Sequence, residues 1–280
     1  MRPWPELRGR PVAAAPPVLD GTRRAPPDLR GAVLLLGNFD GLHPGHLALF
    51  RKGAALAAGR GVPLAAMQCD PHPRSFFGGE AGFRIATGAV QARLLAGAGA
   101  EVIYAPRFDA GFAALAPGDF AARHLACGLG VSAVVAGQGF RFGRGRAGDM
   151  AQLAEAGRRH GFSVNPVADV GCAREGRRIS SSRIRSAIRA GRIAEAEALL
   201  GHPVELALAE TGPQGQAGFD PLQILPPDGL WPVLALGPAG QPIGRAALHL
   251  SGRHGRLAGA AGQIAALRLL AGAGTQTQEG

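Results

Sequence analysis

The stretch at 33–50, VLLLGNFDGLHPGHLALF, constrains the fold of this chain more than any other. Its first four residues are an unbroken apolar run, which reads as a strand buried on both faces. Gly37 and Gly41 supply a tight turn, and Pro44 suits the first position of a helix. The turn delivers His43 and His46 to the helix start. Unpaired N–H groups and the positive end of a helix dipole attract phosphate there, and two imidazoles add donors for charge that grows on phosphoryl oxygens.

The chain keeps alternating. Leu47, Leu49, Phe50 and Leu56 give the first helix an apolar face, Gly59 and Gly61 end it, and 62–67 reads as a second strand, completing a βαβ unit. Helices are expected at 87–97, from Pro117 to about Cys127 and at 147–160, and strands at 102–104, 131–136 and 162–170, with a loop over 106–116. This is the pattern of an α/β fold with a doubly wound sheet. Residues 1–30, rich in Pro and Arg, read as an extended lead-in with a short edge strand near Val12.

Open parallel sheets bind ligands outside the carboxyl ends of their strands, so the segments found there are the candidate site. After the second strand come Asp70 and His72, the latter fixed between Pro71 and Pro73. After the 131–136 strand comes GQGFRFGRGRAGD, whose glycines resist regular structure; Phe140 and Phe142 can stack on a planar ring, and Arg141, Arg144 and Arg146 can meet phosphate. The segment ISSSRIRSAIRA at 179–190 reads as a helix with serines at its cap and Ile184 and Ile188 on its buried face. Arg183 and Arg185 fall in its first turn, against the helix dipole, which predicts a ligand anion that offsets them.

A short helix at 193–200 ends at Gly201, and beyond it the texture changes. Apolar pieces at 204–209, 222–225, 230–236 and 243–250, punctuated by Gly and Pro, predict strands of a small second unit, and 264–270 reads as helical. The net charge is +10, from 30 basic and 20 acidic residues, and Lys52 is the single lysine. An Arg-rich chain without aromatic residues interleaved in a basic stripe fits a polyphosphate ligand and not a nucleic acid. Cys69, Cys127 and Cys172 follow no metal-ligand or disulfide spacing, and no apolar run approaches a membrane span, so a protein of the reducing cytoplasm is expected.

Four segments in this order, GNFDGLHPGH from Gly37, DPHPRSFF from Asp70, GQGFRFGRGRAGD from Gly137 and ISSSRIR from Ile179, resemble the bacterial bifunctional riboflavin kinase/FAD synthetase family, in its FMN adenylyltransferase part. The resemblance covers about residues 31–203. It implies a Rossmann-like nucleotidyltransferase of the HxGH superfamily, with a small β-barrel-like domain over 204–280. It implies transfer of AMP from ATP to FMN with Mg²⁺, the metal ligands being unknown. It implies His43, His46 and Arg185 as catalytic residues, and Gly37, Asn38, Phe39, Asp40, Gly45, Ser181, Ser182 and Arg183 around ATP. FMN falls to Asp70, His72, Gln138, Phe140, Arg141 and Phe142.

Three places depart from the family pattern. Gly139 stands where the family has Asp or Asn, Gln91 stands near a family Lys, and the kinase signature Gly-Phe-Pro-Thr-Ala-Asn is replaced by Gly218, Phe219, Asp220, Pro221, Leu222 and Gln223. No riboflavin kinase activity is therefore expected. Two other readings stay open: nucleotidyl transfer to a different phosphorylated acceptor, and a non-catalytic flavin or nucleotide sensor. The sequence leaves oligomeric state undetermined.

Overall fold

The structure, a computed structural model, describes residues 16–78, 81–168 and 179–270. The edge strand expected near Val12, the last residues of the strand expected at 162–170, and Cys172 lie outside them. The first body is a parallel sheet of six strands, β1 (Val18–Leu19), β2 (Val33–Leu36), β3 (Leu64–Met67), β4 (Val102–Tyr104), β5 (Ala133–Gly137) and β6 (Ser163–Val167), in the order β1-β4-β3-β2-β5-β6. The chain steps outward from β2 in both directions, so the sheet reverses between β2 and β5, where such sheets open a crevice.

Both faces of the sheet are covered, and the period-two alternation of the strands shows it. Val33 and Leu35 of β2, with Ala133 and Val135 of β5, pack with Phe50 of α1 (Pro44–Arg60) and Leu95 of α3 (Gly88–Gly97). Leu34, Leu36, Val134 and Ala136 pack on the opposite side, against Leu125, Leu129 and Leu153. Those residues come from a π-helical stretch, Ala121–Leu129, that continues α5 (Pro117–Phe120), and from α6 (Met150–His160). Two short helices were not expected: α2 (Pro73–Gly78) follows His72, and α4 (Ala110–Ala113), capped by Asp109, interrupts the supposed loop at 106–116.

After β6 come α7 (Ser181–Arg189) and α8 (Ile193–Leu200), then six antiparallel strands: β7 (Glu205–Thr211), β8 (Gln216–Phe219), β9 (Gly229–Leu236), β10 (Pro242–Ser251), β11 (His254–Ala258) and β12 (Ala266–Leu269). They close into a barrel in the order β10-β11-β8-β7-β12-β9. Closure removes the free strand edges of an open sheet. Ile184 and Ile188 of α7 and Leu199 and Leu200 of α8 share one apolar core with Leu206, Trp231 and Leu248 of the barrel.

Two sequence expectations fail here. The 264–270 stretch is not helical: Ala266–Leu269 is a strand with β7 on one side and β9 on the other, and the cross-strand pairing outweighs the helix preference of its Ala and Leu residues. The 222–225 stretch, between Pro221 and Pro226, is no barrel strand; the strand there is Gln216–Phe219. Among the described residues, no helix is long and apolar enough to cross a membrane.

Candidate active site

The β2–α1 turn is compressed against the segment that follows α2. Gly41 has φ 73°, and a Cβ there would stand 2.6 Å from Ile85 Cγ2, so this place excludes any side chain. Past it, Leu42 takes a left-handed φ of 45°, His43 caps α1 and Pro44 opens the helix. His43 and His46, one helical turn apart, stack with ring centroids 3.8 Å apart and planes at 16°. Phe39 meets the His46 ring edge-on at 5.4 Å and Phe50 at 5.3 Å, so it supports the imidazole from behind. Burial, then the nearby His43 and Arg185, holds His46 well below the usual histidine range. A neutral imidazole offers one N–H to an oxygen without introducing a buried cation.

His72 is set in a similar way. Its Nδ1 accepts the backbone N–H of Arg74 at 3.1 Å, which leaves the ring proton on Nε2, and Nε2 has no hydrogen-bond partner in the protein. Burial, with the Arg84, Arg185 and Arg74 charges around it, pushes the His72 pKa down to about 3. The ring therefore presents a neutral N–H donor at neutral pH.

Two adjoining cavities occupy the crevice. The first, about 490 Å³, is lined by Gly37, Asn38, His43, Gly45, His46, His72, Phe140, Arg141, Ser181, Ser182 and Arg185 among the expected residues. The second, about 670 Å³, shares Gly37, Asn38, His72, Arg74, Phe140, Arg141 and Arg146 with the first and adds an aromatic wall that includes Phe77, Phe108, Phe112, Phe120 and Phe142. Phe140 stacks on Phe142 at 5.8 Å, while Phe77 is 72 % exposed. A polar pocket with a helix start joined to an aromatic one suits a ligand pair, one carrying phosphates and one a planar ring.

Six expected residues line neither cavity, among them Arg144, which is exposed with its N–H given to Leu115 O. Phe39 lies behind His46. Asp70 is exposed, and its backbone pairs with Pro106 and Phe108. Gln138 is exposed, its N–H given to Val167 O. Arg183 is half-buried, its backbone N–H held by the Ser180 cap. Asp40 is buried, with Oδ1 accepting from the N–H groups of Ile85 (2.8 Å) and Ala86 (3.2 Å) and Oδ2 from Arg185 Nη2 (2.8 Å).

The same pair corrects the expectation that a ligand anion offsets the Arg185 charge. Asp40 already balances it, Phe83 O accepts from Arg185 Nε at 2.6 Å, and the guanidinium lies over the Phe83 ring at 5.0 Å. Gln91, too, is turned away: its amide donates to Phe39 O at 2.6 Å and fixes the turn.

Phe77, Phe108, Phe112 and Arg74 line the second cavity without having been expected in the site. The pattern of Phe76 and Phe77 after two prolines, and of Phe108 and Phe112 four apart, was the available signal for the aromatic wall. Among the described residues, neither cavity has a carboxylate in its lining and no cluster of His, Cys, Asp and Glu could hold a metal ion. The donors among the described residues therefore do not fit a protein-held Mg²⁺.

Comparison with known proteins gives the same part of the chain. Residues 25–183 match the family model described as FAD synthetase. A bifunctional riboflavin kinase/FMN adenylyltransferase of Pseudomonas fluorescens is 37 % identical over 188 residues, which are 67 % of this chain and 60 % of the relative. The protein of that description from Escherichia coli is 36 % identical over 178 residues, 63 % of this chain and 56 % of the relative. The match thus spans only somewhat more than half the length of these relatives. Among solved structures, a Streptococcus pneumoniae protein described as a macrolide-efflux protein superposes with a TM-score of 0.74 over 95 % of this chain and 93 % of its own. Its sequence identity is 23 %, and the likeness is one of fold.

Proposed function

Because the chain belongs to the FAD synthetase family, we propose that it transfers the adenylyl group of ATP to FMN, giving FAD and pyrophosphate. The observation that carries this reading is the wall shared by the two cavities, where His72, Asn38 and Arg141 face both the histidine pocket and the aromatic pocket. ATP occupies the first with its phosphates at His43, His46 and the α7 start, and the flavin occupies the second. The aromatic wall favours a large planar acceptor over another phosphorylated metabolite.

In the reaction an FMN phosphate oxygen forms a bond to the α-phosphorus of ATP while the bond from that phosphorus to the α–β bridging oxygen breaks and pyrophosphate leaves. No side chain is needed as a nucleophile, so the work is positioning and charge stabilisation. His43 and His46 donate to oxygens on which charge accumulates, and the neutral state of the buried His46 keeps a second positive charge out of the stacked pair. Ser181, Ser182 and the first N–H groups of α7 hold the outgoing phosphates. Arg185 adds a fixed cation whose direction Asp40 sets. Arg74, Arg141 and Arg146 meet the FMN phosphate at the shared wall.

In this reading residues 31–203 are the transferase unit, and 204–280 form a second unit without riboflavin kinase activity; the setting is the cytoplasm, where Cys69 and Cys127 are free thiols. Purified chain given FMN, ATP and Mg²⁺ is expected to yield FAD and pyrophosphate in equal amounts, and riboflavin with ATP is expected to yield no FMN. Absence of FAD at high enzyme concentration defeats the assignment.

A further inference from the structure

The barrel meets the transfer site through the segment 82–87, whose backbone is held from two sides. From the barrel side, Leu222 O accepts the N–H groups of Phe83 (2.8 Å) and Arg84 (2.7 Å), and Ile224 N–H donates to Arg84 O at 2.8 Å. From the site side, Arg185 Nε donates to Phe83 O and Asp40 Oδ1 accepts from Ile85 and Ala86. Phe83 and Ile85 each have their N–H on one partner and their C=O directed to the other.

Gln223 is the barrel group that completes this arrangement. It is 0 % exposed, and its Oε1 accepts from Thr87 Oγ1 and from Ala207 N–H, both at 3.0 Å. Its Nε2 donates to Glu205 O at 3.2 Å and to Ile85 O at 3.5 Å. Thr87 stands at the N-cap of α3, where a hydroxyl ordinarily accepts a helix N–H, yet it makes no cap bond and instead donates to Gln223. The local sequence thus forgoes a cap and makes a contact between the two bodies.

We propose that Gln223 is a positioning residue for adenylyl transfer: through 82–87 it fixes Asp40, and through Asp40 the direction of Arg185 beside the stacked histidines. The inference rests on the adenylyl-transfer reading of that site for its kinetic consequence, but its structural consequence stands apart from it. The barrel then serves the transfer reaction. An Ile85 carbonyl released from Gln223 lets Ile85 and Ala86 leave Asp40, and displacements of this size at a catalytic group are costly to turnover.

The test uses the full chain with Gln223→Ala, Thr87→Val and Thr87→Ser, and His249→Ala on the exposed side of β10 as a control. Two quantities are read: amide hydrogen exchange at Ile85 and Ala86, and kcat against KM for FAD formation. Gln223→Ala and Thr87→Val are expected to speed that exchange about tenfold and to lower kcat about tenfold, with KM for ATP within about twofold of the parent. Thr87→Ser and His249→Ala are expected to match the parent in both. Folded Thr87→Val protein with parental exchange at Ile85 and Ala86 overturns the proposal, and so does faster exchange with unchanged kcat; Thr87→Val decides the matter if Gln223→Ala does not fold. A parent chain that makes no FAD, while exchange still quickens in the variants, removes the adenylyl-transfer reading and leaves the barrel-to-site link in place.

Discussion

Asp40 Oδ2 lies 2.8 Å from Arg185 Nη2, and both side chains are buried, so the arginine enters the histidine-lined cavity with its charge already matched and its direction fixed. The partners are 145 residues apart in the chain and tie the β2–α1 turn to the start of α7.

Removing one partner of such a pair strands the other. Arg185→Met is expected to lower stability by about 3–5 kcal/mol, because a buried carboxylate loses its counter-charge. Arg185→Lys keeps the charge but not the two-pronged contact with Asp40 and Phe83, and should recover only part of the loss. Urea unfolding of the two variants measures this, and a loss below about 1 kcal/mol for Arg185→Met contradicts it.

Charge stabilisation that grows along the reaction has a kinetic signature. His46→Ala is expected to lower kcat about 10²–10³-fold while ATP binding changes only modestly, as for a donor acting mainly in the transition state. Steady-state kinetics alongside calorimetric titration of a non-hydrolysable ATP analogue separates the two, and a loss confined to binding argues against the role.

The aromatic wall predicts acceptor affinity. Phe77 is 72 % exposed, so Phe77→Ala removes little folded-state packing but takes away a stacking surface at the second cavity. FMN affinity is expected to fall about 2–10-fold, corresponding to about 0.5–1.5 kcal/mol, with unfolding little changed. Flavin fluorescence titration reads the first quantity, and unchanged FMN affinity places the flavin elsewhere.

Acid should weaken the fold through the depressed histidines. His72 titrates at about 3 in the folded chain against 6.5 ordinarily, so between these values the unfolded chain holds a proton that the folded chain refuses. The contribution of His72 is complete above pH 6.5 and is lost as pH falls from there toward 3. Urea unfolding from about pH 7 down to about pH 4 should show declining stability, and His72→Asn should flatten part of that decline. Equal slopes in the two proteins contradict the assignment.

Much of the sheet was legible because its strands are short apolar runs buried on both faces, a signal that needs no partner to be read. The carboxyl ends of β2, β3 and β5 were legible as site for the same reason: Gly41, Pro73 and the glycines after Gly137 mark where regular structure stops. The barrel was less so. Gln216–Phe219 and His254–Ala258 carry glycine inside short strands, and Ala266–Leu269 is strand only because β7 and β9 flank it.

Within the site, local pattern located His43, His46 and the serines, but it had no means to pair Asp40 with Arg185 or to find Gln223 beneath Thr87. Those contacts join places far apart in the chain, and a residue type alone does not say whether a carboxylate faces a ligand or an arginine.

The most direct measurement follows the adenylyl group itself. With ATP radiolabelled at the α-phosphate, FMN and the purified chain, label is expected in FAD at the rate that pyrophosphate appears, and the rate should fall at least about 100-fold in His46→Ala at saturating ATP. Label that stays in ATP, or that enters FAD as fast in His46→Ala as in the parent, contradicts adenylyl transfer to FMN at the stacked histidines.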